Sequence, residues 1–221
     1  MEAPTRRDAP SRFSRINRST SGSPHAKGCT YTALSVVAGQ LEKHGISTHM
    51  IHVGHKPIHG CIACGKCAET RRCVFNDDPV NETIELLLKA DGLVVGSPVY
   101  YGGPNGILCS FLDRIFFTRN ELFAFKPAAA VVSCRRGGAS AAFDRLNKYF
   151  TISRMPVVSS QYWNSVHGWK PEDVMQDREG LQTMRALGDN MAWMLECFAA
   201  GRAAGIATPA IEPWEPTDFI R

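Results

Sequence analysis

The sequence predicts a doubly wound α/β domain, because short apolar runs alternate with helical patterns and Gly- and Pro-bearing loops follow the runs. Two runs, Asp91–Pro98 (DGLVVGSP) and Ala128–Ser133 (AAAVVS), are continuous rather than alternating. That is how parallel strands covered on both faces read. A chain of 221 residues, 44% hydrophobic and 21% charged, is sufficient for one packed domain.

The elements follow in order. Five arginines (Arg6, Arg7, Arg12, Arg15, Arg18) crowd the first twenty residues, with no apolar stretch of the kind a secretory signal needs. Residues 1–20 are therefore expected to be a disordered or irregular tail, residues 21–200 the domain, and residues 201–221 a C-terminal tail. The strand that should precede the first loop is atypical. Arg12–Ser21 contains only Phe13 and Ile16 as apolar residues. Burying Arg15 or Arg18 unpaired would cost several kcal/mol, so this segment is expected to enter the sheet badly or not at all. Helix one is read over Thr30–His44 from Leu34, Val37 and Leu41, with Gly45 at its C-terminal cap. A strand over Ile46–Val53 follows. Asn76-Asp77-Asp78 is an N-cap region for a helix to Lys89 that turns Val80, Ile84, Leu87 and Leu88 inward. Helices are read over Ile107–Phe117 and Ala139–Phe150, and a last short strand over Met155–Ser159. A long helix over Met175–Phe198 carries a stripe of Leu181, Met184, Leu187, Met191, Met194 and Leu195.

In such a sheet ligands bind beyond the carboxyl ends of the strands. Three loops there are unusual in composition. Gly22-Ser-Pro-His-Ala-Lys-Gly-Cys-Thr30 leads into helix one, whose free N–H groups and dipole attract phosphate. Ser97-Pro-Val-Tyr-Tyr-Gly-Gly-Pro-Asn-Gly106 pairs two aromatic rings with glycines and suits a flat heterocycle. Ser133-Cys-Arg-Arg-Gly-Gly138 supplies guanidinium and backbone donors. Each alone reads more readily as a solvated turn; their occurrence at three successive strand ends reverses that and favours one shared ligand.

Eight cysteines without a signal peptide suit a reducing, cytoplasmic setting. Cys61, Cys64, Cys67 and Cys73 fall within thirteen residues, a density of soft ligands that suits an iron–sulfur cluster, structural zinc or redox-active thiols. Cys109 and Cys197 read as small core residues. Cys29, at a helix start, reads either as a cap packing group or as a thiol of lowered pKa. His49, His52, His55 and His59 alternate through a strand and its exit, and so point to different faces. Much of the net charge of +4 comes from the tail, so nucleic-acid binding finds no footprint, and no run reaches the roughly 20 apolar residues of a membrane helix.

Gly22-Ser23-Pro24-His25 followed by Gly28-Cys29-Thr30 resembles the phosphate loop of the NADPH-dependent FMN reductases of the flavodoxin-like superfamily, with His25 where arginine and Cys29 where asparagine is usual. Ser97–Gly102 and Phe111-Leu112-Asp113-Arg114 are similar to that family's flavin loop and following helix. The resemblance covers about Gly22–Glu196. It implies a five-stranded flavodoxin-like parallel sheet with helices on both faces, bound FMN, and NAD(P)H as a donor. Ser23, Gly28, Cys29 and Thr30, with His25 beside them, would hold the FMN phosphate. Pro98, Val99, Tyr100, Tyr101, Gly102, Gly103 and Asn105, with Ser133, Arg135, Arg136, Gly137 and Gly138, would border the ring. Arg135 or Arg136 would meet nicotinamide phosphates. The two substitutions in the first loop remove a charged donor and an amide donor, which is expected to weaken FMN retention.

The cysteine spacing also resembles the compact motif of iron–sulfur flavoproteins, where a four-iron four-sulfur cluster takes electrons from ferredoxin. The acceptor would be a small molecule: free flavin, a quinone, a nitroaromatic or a metal ion. A homodimer or homotetramer is implied, and the aromatic segment Ser160–Trp169 would line the flavin or the subunit interface. A non-enzymatic, zinc-stabilised α/β binding module is the reading from another class.

Overall fold

The computed structural model describes residues 16–54, 56–217 and 219, so the tail arginines up to Arg15, and also His55, lie outside the described residues. The sheet is built from β1 (Ile16–Ser21), β2 (Ser47–His52), β3 (Gly92–Tyr100), β5 (Ala128–Cys134) and β6 (Ser165–His167), all parallel, in the order β2-β1-β3-β5-β6. β4 (Gly103–Pro104) folds back antiparallel on β3. The remaining elements are α1 (Cys29–Lys43), α2 (Lys66–Thr70), α3 (Val80–Leu88), α4 (Gly106–Arg119), α5 (Ala139–Ile152), α6 (Pro171–Val174) and α7 (Arg178–Ala203).

Side-chain alternation along β3 and β5 feeds two cores. Leu93, Val95, Ala128, Ala130 and Val132 pack against Ile84, Phe111, Ile115 and Leu146 from α3, α4 and α5. Val94, Ala129 and Val131 pack against Leu34, Val37 and Leu41 of α1 and Met184, Leu187, Met191 and Leu195 of α7. The expected helix stripes are thus the faces that are buried. The long helix is capped by Asp177, whose Oδ1 accepts from Gly180 N at 2.9 Å, and it runs past the expected boundary at residue 200 to Ala203.

Two expectations are corrected. First, the atypical segment does enter the sheet. β1 begins at Ile16, inside the stretch read as tail, and lies in full register between β2 and β3. Backbone bonding to neighbours on both sides does not depend on side-chain polarity. The polarity leaves a mark nonetheless: Asn17, Ser19 and Ser21 are buried with side-chain atoms that have no protein partner, as is Nε of the half-buried Arg18. Second, the last strand is β6, not Met155–Ser159. That stretch makes one isolated bridge, Val157 to Ala128, flanked by Ala128 N→Pro156 O and Val158 N→Ala128 O at 2.9 and 2.8 Å. The chain then leaves the edge. Asn164 Nδ2 satisfies Ala130 O at 3.0 Å in place of a strand neighbour, and pairing resumes at Ser165.

Each orphaned hydroxyl in β1 costs about 1 kcal/mol or more. Ser19→Ala is therefore expected to stabilise the fold by about 1 kcal/mol, read as a higher urea midpoint. A midpoint at or below that of the unaltered chain would show that the hydroxyl is satisfied.

Candidate functional site

Because β1, β3, β5 and β6 are parallel, the loops that leave them emerge at one edge of the sheet. They enclose a crevice of about 590 Å³. The first loop follows β1. Ser23 Oγ accepts from His25 N at 3.2 Å, and Gly28 N donates to His25 O, which curls the loop onto the start of α1. Gly28 is the N-cap of α1 and no side chain caps that end, so the first-turn amides are free to bind an anion. His52 Nε2 lies 2.7 Å from Ser23 O and ties the end of β2 to the loop. Thr30 Oγ1 and Ser133 Oγ, both buried, hydrogen-bond at 2.7 Å and join the first loop to the third.

The second loop is a hairpin rather than an open loop. β3 runs on to Tyr100, pairs back through β4, and turns at Tyr101 (φ +50°) and Gly102 (φ +78°). Two positive φ values in a two-residue turn match the twist of a tight hairpin. Tyr101, in a conformation that a bulky side chain seldom adopts, holds its ring fully in solvent. The third loop touches this turn: Gly138 has φ +88°, and a Cβ there would stand 2.8 Å from Gly102 Cα.

Of the residues expected at the site, Ser23, His25, Gly28, Cys29 and Thr30 line the crevice, as do Pro98, Val99, Tyr100, Ser133 and Arg135. Tyr101, Gly102, Gly103, Arg136, Gly137 and Gly138 belong to the same two loops but are not among the lining residues. Asn105 has a structural task, capping α4 by accepting from Ile107 N and Leu108 N. The structure adds Lys27, Cys134, Lys170 and Pro171, and brings Gly168 and Trp169, the end of the expected aromatic segment, into the lining as part of a fourth loop, Gly168 to Pro171. Arg135 stacks over Trp169 at 5.5 Å. Among the described residues the lining carries Lys27, Arg135 and Lys170 and no carboxylate, a field that draws an anionic ligand. Cys29 is not a lowered-pKa thiol: burial pushes it up, and its Sγ donates to Gly168 O at 3.7 Å.

Cys61, Cys64, Cys67 and Cys73 line a second, separate pocket together with Phe75 and Arg114. Among the described residues no three His, Cys, Asp or Glu side chains stand close enough to hold a metal ion, so the thiols share a pocket without converging on a point. Cys61 and Cys64 lie exposed on an irregular strand of chain, Cys67 sits on α2, and Cys73 is held against α4. The donor chemistry, sulfur without carboxylate or imidazole in the lining, still suits a soft metal centre. His59 stacks on Phe75 with ring centroids at 4.6 Å, and His52 is engaged with Ser23. Cys197, expected in the core, is exposed.

A phosphate-sized helix start, a flat-ligand hairpin and a cationic crevice at the strand tips define a flavodoxin-like flavoprotein. A flavodoxin, WrbA-like protein from Agrobacterium tumefaciens has the same fold, with TM-score 0.58 and 15% identity over 84% of this chain and 99% of that one. The family model for NADPH-dependent FMN reductase matches residues 20–170. An iron–sulfur flavoprotein of Methanocaldococcus jannaschii is 33% identical, covering 78% of this chain and 93% of that protein. One from Methanosarcina thermophila is 27% identical, covering 82% and 96%. The chain belongs to the NADPH-dependent FMN reductase family, alongside iron–sulfur flavoproteins, and is thus of an FMN-binding oxidoreductase lineage. Among the described residues no helix is long and apolar enough to cross a membrane.

Gly138 leaves no room for a Cβ against Gly102. Gly138→Ala is expected to push the two loops apart and weaken FMN binding at least tenfold, about 1.4 kcal/mol, with the far-UV spectrum unchanged. Unaltered affinity in a flavin-fluorescence titration would show that the loops are not coupled.

Proposed function

We propose that the chain is a two-centre electron-transfer flavoprotein. FMN occupies the crevice, a four-iron four-sulfur cluster is held by Cys61, Cys64, Cys67 and Cys73, a ferredoxin-like protein donates, and a small molecule accepts. One observation carries this reading: the four thiols line one pocket in a chain that aligns with 93% of an iron–sulfur flavoprotein at 33% identity. All eight cysteines are free, which suits the reducing cytoplasm.

Bound FMN takes up electrons singly or as a hydride, and the protein positions and tunes it. Ser23, the Gly28–Thr30 backbone and Lys27 would hold the phosphate at the start of α1. Pro98, Val99 and Tyr100 would flank the ring on one side and Ser133 and Arg135 on the other, with the hairpin tip at Tyr101 to Gly103 and the turn at Arg136 to Gly138 at the rim. Cys29 spends its thiol on Gly168 O rather than on the ligand. Restoring an amide with Cys29→Asn is therefore expected to tighten FMN binding about tenfold; unchanged affinity would remove the side chain of residue 29 from the phosphate site.

A nicotinamide donor is the second reading, favoured by Arg135 over Trp169 at the mouth, where a guanidinium fork and an aromatic face stand ready for a dinucleotide. Exposed Tyr162 and Trp163, together with exposed Trp169 in the crevice lining, support assembly as a homodimer or homotetramer. Anaerobic purification decides the centres and the donor. Expected are about four irons and four sulfides per chain and a flavin that reduced ferredoxin, not NADPH, bleaches. A yellow, iron-free protein bleached by NADPH makes it a nicotinamide-dependent reductase. Colourless protein with stoichiometric zinc makes it a binding module.

A further inference from the structure

We infer that Arg114 is the positioning residue of the cysteine site: it fixes Cys73 as the one preformed ligand and raises the reduction potential of a cluster bound there. The inference rests on the cluster reading above. Arg114 projects from α4 and is 1% exposed, among the largest fully buried side chains of the protein. Nη1 and Nη2 engage Asp78, itself 3% exposed, and also reach His59 O and Phe75 O. Its guanidinium carbon lies 5.0 Å over the Phe75 ring. The ion pair with Asp78 already neutralises the buried charge. It leaves Nε–H over, and that donor is aimed at Cys73 Sγ at 3.1 Å.

Cys73 is gripped from its backbone as well. Its N donates to Asn81 Oδ1 at 2.8 Å, and its O accepts from Asn81 Nδ2 at 3.0 Å. Among the described residues the other three thiols have no comparable hold. Cys61 and Cys64 are exposed, and Cys67 sits on a five-residue helix set between left-handed Gly65 (φ +73°) and Arg71 (φ +58°). The site is therefore asymmetric, with one fixed sulfur held against α4 and three sulfurs on the exposed stretch that runs from Cys61 into α2. Ligands of this kind owe their orientation and electronics to such outer contacts. Reduction adds one electron, supplied by the ferredoxin-like donor, with no bond made or broken. An N–H donor on a ligand sulfur favours that more negative state, so its removal lowers the potential.

Two variants test this in anaerobically reconstituted full chain. Arg114→Lys keeps the charge and loses the fork that serves Asp78 and Cys73 together. Arg114→Met/Asp78→Leu removes the pair without orphaning a buried charge. Each is measured for iron and sulfide, for the cluster midpoint by EPR-monitored titration, for the FMN midpoint and for the urea midpoint. The expected result is a cluster midpoint shifted negative in both, with the FMN midpoint unmoved; loss of iron at an unchanged urea midpoint equally supports the anchoring role. Iron-loaded variants whose cluster midpoint does not move, or moves together with that of FMN, overturn the inference. Unaltered protein that takes up no iron overturns the cluster reading itself, and the inference with it.

Discussion

The reversal of winding between β1 and β3 is the constraint on which the rest of this structure depends. β2 lies on one side of β1 and β3 on the other, so the connections leaving β1 and β3 go to opposite faces of the sheet and part at their carboxyl ends. A crevice at that point is a consequence of topology and requires no particular side chain. What the side chains decide is its chemistry. Here a bare helix start, a hairpin with a solvent-held tyrosine and three cations with no carboxylate among the described lining residues make it a place for a flat, phosphorylated anion.

The same constraint accounts for the oddest strand. β1 must lie at the centre, since it delivers the phosphate loop to α1, yet it reads Ile-Asn-Arg-Ser-Thr-Ser. Its place is secured by bonds its neighbours supply: to β2 and β3 in register, from Asp91 N to Ile16 O, and from Gly22 N to Gly96 O. Two well-formed apolar cores on either side of β3 and β5 carry the cost of several orphaned polar atoms. A central strand tolerates poor side chains when its flanking strands and helices do not depend on it for their own burial.

Legibility in the sequence divides along the same physical line. Leu34, Val37 and Leu41, or Met184, Leu187 and Met191, announce a buried helix face by spacing alone, and the structure buries each of them. The three glycine-bearing loops announce themselves through residues that only unusual backbone requires. β1 was hidden because side-chain polarity speaks about burial energy and says nothing of backbone pairing. β6 was hidden because it is three residues long with Val166 as its one buried member. The aromatic residues up to Trp169 mark the start of the fourth loop in the sequence, whereas Lys170 and Pro171 carry no such signal. Lys27 was hidden for a different reason, since a single lysine has no local pattern and acquires meaning only from what faces it.

The two pockets are joined by α4. Its N-cap, Asn105, closes the hairpin loop by donating its N–H to Ser97 Oγ at 2.9 Å and accepting from the first turn of the helix. Nine residues further on, about 14 Å along a helix axis, Arg114 reaches the cysteine pocket. The buried faces of Phe111, Leu112 and Ile115 lock the helix into the core between them. One rigid element thus sets the position of the flavin-type loop and of the fixed cysteine together. The separation of the sites is held by the helix, while Cys61 and Cys64 lie exposed away from it and Cys67 sits on the short α2. On the proposed two-centre reading, α4 would be the strut that fixes the distance between the flavin crevice and the cysteine pocket.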